Sequence, residues 1–106
     1  RKLSVTVHFI KDLRKKEGIH GDVLDEDDRE YTIRIDTNQA RKELISTILH
    51  EMVHVYQYAT NKMTQPTGDI IVYEKTEYPW DMAYDDKPWE IEAHTLERDL
   101  YEKFYK

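Results

Sequence analysis

A chain of 106 residues has room for one small hydrophobic core, so a single domain spanning 1–106 is expected and a two-lobed enzyme is excluded by length. Sixteen Lys and Arg against 22 Asp and Glu give a formal net charge of −6, the wrong sign for bulk binding to nucleic-acid phosphates. Cysteine is absent, which removes disulfides, thiolate ligands and a Cys nucleophile, and no apolar run approaches the roughly 20 residues needed to cross a bilayer. With no secretory-signal pattern at the start, a soluble, cytoplasmic protein without a membrane partner is expected.

Leu3, Val5, Val7 and Phe9 alternate with Ser4, Thr6 and His8, a period-two pattern that predicts a half-buried strand with His8 on its polar face. Lys11 to Glu30 is charge-dense, contains Gly18 and Gly21 and carries the run Asp25-Glu26-Asp27-Asp28; it reads as a solvated loop, without the ligand spacing of a calcium loop. Tyr31, Ile33 and Ile35 alternate with Thr32, Arg34 and Asp36, predicting a second strand that runs into Thr37 and Asn38 as helix caps. From Gln39 to about Thr60 there is no Gly or Pro, and apolar residues recur at three-and-four spacing, which predicts a long helix.

Asn61 to Gly68 reads as a turn and Asp69–Tyr73 as a third strand. Pro79 and Pro88 bracket an irregular aromatic stretch with Trp80 and Tyr84. Pro88 suits a helix start, and Trp89, Ala93, Leu96, Leu100 and Phe104 draw an apolar stripe to the C-terminus. The sum is an α+β domain in which a small, mostly antiparallel sheet packs on two helices.

Inside the first helix stands His50-Glu51-Met52-Val53-His54, the HExxH pattern. At about 100° per residue, positions four apart lie about 40° apart around the axis, so both imidazoles can point at one metal ion. Glu51 falls about 60° beyond His54, where its carboxylate can act as a general base without being a ligand. Met52 and Val53 fall on the opposite, apolar side with Leu49 and Ile45.

A catalytic zinc takes three protein ligands and leaves its fourth position open. The third donor is expected on the second helix, a rigid element carrying Glu90, Glu92, His94 and Glu97. Measured from Trp89, Glu90, His94 and Glu97 cluster at roughly 80–140° and Glu92 lies near 300° on the other shoulder of the stripe. Helix geometry leaves Glu90 and Glu92 both open.

His50-Glu51-Met52-Val53-His54 followed by Glu90-Ile91-Glu92-Ala93-His94 resembles the zincin metallopeptidases, in particular the glutamate-zincins (gluzincins). The order strand, strand, HExxH helix, strand, Glu helix is similar to the minimal zincin-like domains of phage and bacterial ImmA/IrrE-type and SprT-like peptidases. That resemblance implies a hydrolase with Zn2+ held by His50, His54 and Glu90, with Glu51 as general base and Ala93 letting the two helices approach. It places His94 beside the metal as a supporting residue or, in the SprT-like manner, as a third histidine ligand. Gln57 and Thr60, where a metzincin carries Gly and a third His, separate the chain from that group.

The expected activity is therefore zinc-dependent hydrolysis of a protein or peptide substrate. His94, Tyr84 and Tyr78 stand as possible donors to the oxyanion, and strand Tyr31–Asp36 as the edge on which an extended peptide pairs. The rival expectations are a regulatory or interaction module with a closed structural zinc site, in which Glu90 and His94 would both be ligands, and a metal-free domain with solvated histidines.

Overall fold

The computed structural model describes residues 3–26 and 29–105. In chain order it contains β1 (Ser4–Ile10), α1 (Leu13–Glu17), β2 (Gly21–Asp25), β3 (Glu30–Asp36), α2 (Arg41–Ala59), β4 (Met63–Thr67), β5 (Ile70–Tyr73), β6 (Thr76–Pro79), a 3-10 turn at Tyr84–Asp86 and α3 (Pro88–Phe104). The class is α+β, with two small three-stranded sheets, ordered β1-β3-β2 and β4-β5-β6, in place of the one sheet expected. All pairs are antiparallel except β1 with β3, which run parallel with Val5 opposite Tyr31 and Phe9 opposite Ile35.

Strand Tyr31–Asp36 is central, not an edge. Its Tyr31, Ile33 and Ile35 are buried with Val55 of α2, and Val5, Val23, Leu44, Ile48 and Tyr58 pack around them. The free edge next to α2 belongs to β2, which lies in the stretch expected as a solvated loop. Neither α1 nor β2 has the apolar periodicity that would announce it; contacts distant in sequence hold both. Leu13 of α1 is buried, and Arg34 of β3 joins Asp22 of β2 through two bonds and Glu17 of α1 through a third group of contacts. Asp25 and Glu26 are exposed as the loop reading expected; Asp27 and Asp28 lie outside the described residues.

Gly21 sets how closely β2 crosses α2. A Cβ there would stand 2.9 Å from the Arg34 carbonyl oxygen and 2.9 Å from Cγ2 of Thr47, closer than real contacts allow. Only the missing side chain lets the strand edge lie against the middle of the helix.

The start of α2 differs from the expected cap. Ala40 occupies the cap position without a side-chain bond, and the buried carboxylate of Asp36 organises the approach instead, accepting from the amides of Asn38 and Arg14. Strand β1 is less covered than its alternation suggested: Val7 and Phe9 are exposed because α2 packs over β3 and β2, not over β1.

The second sheet is a meander whose first and last strands were not foreseen. β4 occupies the expected turn, with Pro66 on an edge strand where a missing N–H is tolerated. β5 and β6 close around Glu74 and Lys75, both at positive φ, with Tyr73 paired to Thr76. Met63, Ile71 and Tyr73 of this sheet bury Trp89 of α3, and Tyr58 of α2 touches both core clusters. That shared packing anchors α3 beside α2 with Ala93 fully buried. No helix among the described residues is long and apolar enough to cross a membrane.

Candidate metal centre

Residues 50–57 turn their polar side chains inward. His50, Glu51, His54 and Gln57 of α2 are all buried, whereas Met52, expected on the apolar side, is exposed and only Val53 of that pair is covered. The polar face of α2 is sandwiched between α3 and the β2 edge, so the helix buries both faces.

Three side-chain atoms converge between α2 and α3. Oε1 of Glu90 lies 2.9 Å from Nε2 of His50 and 3.1 Å from Nε2 of His54, and the two Nε2 atoms are 3.2 Å apart. His50, His54 and Glu90 thus form a buried cluster that can hold a metal ion.

The outer ring nitrogens explain why the inner ones face one point. The amide nitrogen of Gln57 donates to the Trp89 carbonyl and to Glu92 Oε1, so its oxygen is the end that meets Nδ1 of His54, at 2.8 Å, and that nitrogen must carry the hydrogen. Nδ1 of His50 donates in the same way to Glu97 Oε1 at 3.0 Å. With each Nδ1 protonated, a neutral imidazole offers its Nε2 lone pair to the common point. Two lone pairs and a carboxylate oxygen then face one another within about 3 Å, and protonating both Nε2 atoms would set two N–H groups head to head across 3.2 Å. One cation satisfies all three donors, so the residues fit a metal.

Electrostatics favour positive charge there. At His50 burial works against the imidazolium, but bonds to Glu90 and Glu97 outweigh it and raise the pKa to about 9. His54 is raised against burial in the same direction, chiefly by Glu90. Burial would raise Glu90, yet the two imidazoles hold its carboxyl far below the usual carboxylate range. Glu51 behaves oppositely. Burial pushes it up to about 7 although His54 and His50 pull it down, and no hydrogen bond to its carboxylate is seen among the described residues. It faces the space between α2 and β2 beside the cluster.

Tyr84, in the 3-10 turn, reaches the same point. Its hydroxyl is 3.1 Å from Glu90 Oε1 and 2.8 Å from Nε2 of His94, and burial, then Glu90, raise its pKa well above the usual phenol range. His94 is exposed, its ring tilted against that of His50 with the centroids 4.4 Å apart and its Nδ1 3.4 Å from Glu97; it stands outside the His50–His54–Glu90 cluster and forms with His50 and Glu97 a second group of donors that could hold a metal.

Glu92 is on the far shoulder, paired with Lys62 and bonded to Gln57; it touches neither imidazole and orients the amide that orients His54. Tyr78 packs edge-on against Trp89 in the second core cluster, away from the three ligand atoms.

Gln57 and Glu97 carry roles that the motif did not assign. Glu97 had a signal, since it stands seven residues after Glu90 and so on the same helix face. Gln57 had none, because its role depends on the Trp89 carbonyl 32 residues away. Comparison of the chain with family models, with curated proteins and with solved structures finds no match in any of the three.

Proposed function

We propose that this protein is a zinc-dependent peptidase of the HExxH, zincin-like kind. The observation that carries the reading is the convergence of His50 Nε2, His54 Nε2 and Glu90 Oε1 with both outer nitrogens bonded to acceptors. Two imidazoles and a carboxylate are a common donor set for catalytic zinc, and His94, engaged with Tyr84, leaves a fourth position for solvent or substrate. This favours the open, catalytic site over the closed structural one. Bound here, zinc supplies a Lewis acid that polarises a carbonyl and lowers the pKa of water towards 7.

The chain's own groups supply the rest. Glu51, buried beside the ligands and unpaired, takes the proton of the attacking water and passes it to the leaving amine. Its elevated pKa, about 7, suits a group that must both accept and return a proton near neutrality. Tyr84 and His94, bonded to each other at the rim, donate to the oxyanion as the carbonyl becomes tetrahedral. The free edge of β2, held against α2 by Gly21, offers main-chain groups to an extended substrate in place of the central strand β3.

The test is hydrolysis of a mixed peptide library by zinc-loaded protein, with Glu51→Gln as the control. The amide keeps the shape and loses the proton acceptor, so turnover should fall by about 10² to 10⁴ with zinc retained. Residual activity within tenfold of wild type removes Glu51 from the role of base.

A further inference from the structure

His50 has a carboxylate at each ring nitrogen: Oε1 of Glu90 lies 2.9 Å from its Nε2, and Oε1 of Glu97 lies 3.0 Å from its Nδ1. His54 differs, because the Gln57 oxygen fixes the hydrogen on its Nδ1. Either tautomer of His50 finds an acceptor, so its lone pair can stand on one side of the ring or on the other. Turned towards Glu90, it joins the inner trio with His54. Turned towards Glu97, it meets a second set of donors, for one ligand atom each of His50, His94 and Glu97 lies within 4.8 Å of the others.

Tyr84 prepares His94 for that second set. The hydroxyl has a single hydrogen, which goes to Glu90 Oε1 at 3.1 Å because a carboxylate only accepts. The phenol oxygen is left to accept from Nε2 of His94 at 2.8 Å, so that nitrogen carries its hydrogen and the neutral ring presents the Nδ1 lone pair to Glu97. Lone pair and carboxylate oxygen stand 3.4 Å apart, longer than a charge-assisted hydrogen bond of about 2.7 to 2.9 Å. A cation attracts both. The group opens on a cavity of about 460 Å³ beneath the first turns of α2, with Glu43 and Glu51 set against Lys42 among its charged walls, so solvent can complete a coordination sphere there.

We propose that the chain has a second, outer metal position, made by Nδ1 of His50, Nδ1 of His94 and Oε1 of Glu97, which takes a divalent transition cation such as zinc as the alternative to the inner one. The two positions exclude each other, because a neutral imidazole has one lone pair and His50 belongs to both trios. A cation in the outer position puts the hydrogen on Nε2 of His50, which then donates to Glu90 and leaves the inner trio short of an imidazole. The inner position binds more tightly, since its two histidines are buried whereas His94 is exposed and held less rigidly. The outer position itself does not depend on the peptidase reading. Its consequence does: on that reading the outer form is inactive, because the inner trio beside Glu51 then holds no metal.

The experiment is zinc titration by chelator competition, with nitrogen NMR of the histidine rings to identify which nitrogen each zinc occupies. It compares wild type with His54→Ala and Glu90→Gln, whose inner trios each lack one donor. Wild type should bind one zinc even at excess metal, with the hydrogen on Nδ1 of His50 and the His94 ring signals unmoved. Both variants should still bind one zinc, more weakly than wild type, with the hydrogen now on Nε2 of His50 and zinc on Nδ1 of His50 and of His94. Adding His94→Ala or Glu97→Gln to either should weaken this residual binding at least about tenfold further. The inner trio is cut on α2 in one variant and on α3 in the other, so either folded protein reads the outer position. Folded variants that bind no zinc, residual binding indifferent to His94 and Glu97, or a wild-type chain holding two zinc ions at once across His50 each overturn the proposal. Wild-type zinc on Nδ1 of His50 and of His94 upholds the outer position and removes the inner one, and the peptidase reading with it.

Discussion

The side-chain oxygen of Gln57 lies 2.8 Å from Nδ1 of His54, and it is the oxygen because the amide nitrogen is committed to the Trp89 carbonyl and Glu92. A fully buried amide thus sets the tautomer of a buried imidazole from across the α2–α3 interface. Gln57→Leu should cost about 1 to 3 kcal/mol of stability, because the buried Nδ1–H of His54 is left without its acceptor. It should also weaken zinc binding 10- to 100-fold, the size typical of changes behind a metal ligand. Competition with a chromophoric chelator measures the second effect; unchanged affinity in a folded Gln57→Leu protein would show that His54 needs no orienting partner.

Glu90 and Glu92 separate cleanly in space, and their variants should separate in the same way. Glu90→Ala removes the oxygen that meets both imidazoles and should weaken zinc binding by more than 100-fold. Glu92→Ala acts only through Gln57 and Lys62, so its effect should stay within 10- to 100-fold. The two dissociation constants, taken by the same chelator competition, would contradict the assignment if their order were reversed.

Gly21→Ala should destabilise the protein by about 1 to 3 kcal/mol, since the added methyl meets a backbone carbonyl that cannot move aside. For a chain of this size that corresponds to a fall of roughly 4 to 8 °C in Tm per kcal/mol. Pairing it with Thr47→Ala should restore only part of the loss, because the Arg34 oxygen remains at 2.9 Å. Full recovery in the double variant would place the clash on Thr47 alone.

The long helix, its His50–His54 spacing and the Glu90–Glu97 face of α3 were legible because each is a periodic pattern within one element. The pieces that escaped the sequence are those whose cause lies elsewhere in the chain. β2 has two carboxylates and a glycine in five residues and is a strand because β3 pairs with it and Arg34 neutralises Asp22. β6 follows a tight turn whose Glu74 and Lys75 adopt positive φ without the Asn or Gly that normally signals one. The helix read as apolar on one face and metal-holding on the other is buried on both sides, because α3 brings Glu90 and Glu97 to meet its histidines. Choosing between Glu90 and Glu92 needed the roll of α3, which the seating of Trp89 on Met63, Ile71 and Tyr73 fixes.

Asp36 gives the fold a pH dependence independent of the metal cluster. Bonds from the amide of Asn38, opposed by burial and joined by Arg14, hold its carboxyl below the usual range. A depressed carboxylate contributes stability that is present above the unfolded pKa, about 4, and is lost as pH falls through the lower folded value. Asp36→Asn should therefore melt below wild type at pH 7, with the gap narrowing as pH drops below about 4. A gap that is constant from pH 7 to pH 3 would show that the carboxylate charge contributes nothing.

Zinc K-edge X-ray absorption on the loaded protein tests the metal centre most directly. The first shell should contain two imidazole nitrogens and a carboxylate oxygen at about 2.0 to 2.2 Å, with the imidazole scattering lost from the His50→Ala, His54→Ala double variant. A shell without imidazole, or one unchanged in the double variant, would contradict zinc binding by His50, His54 and Glu90.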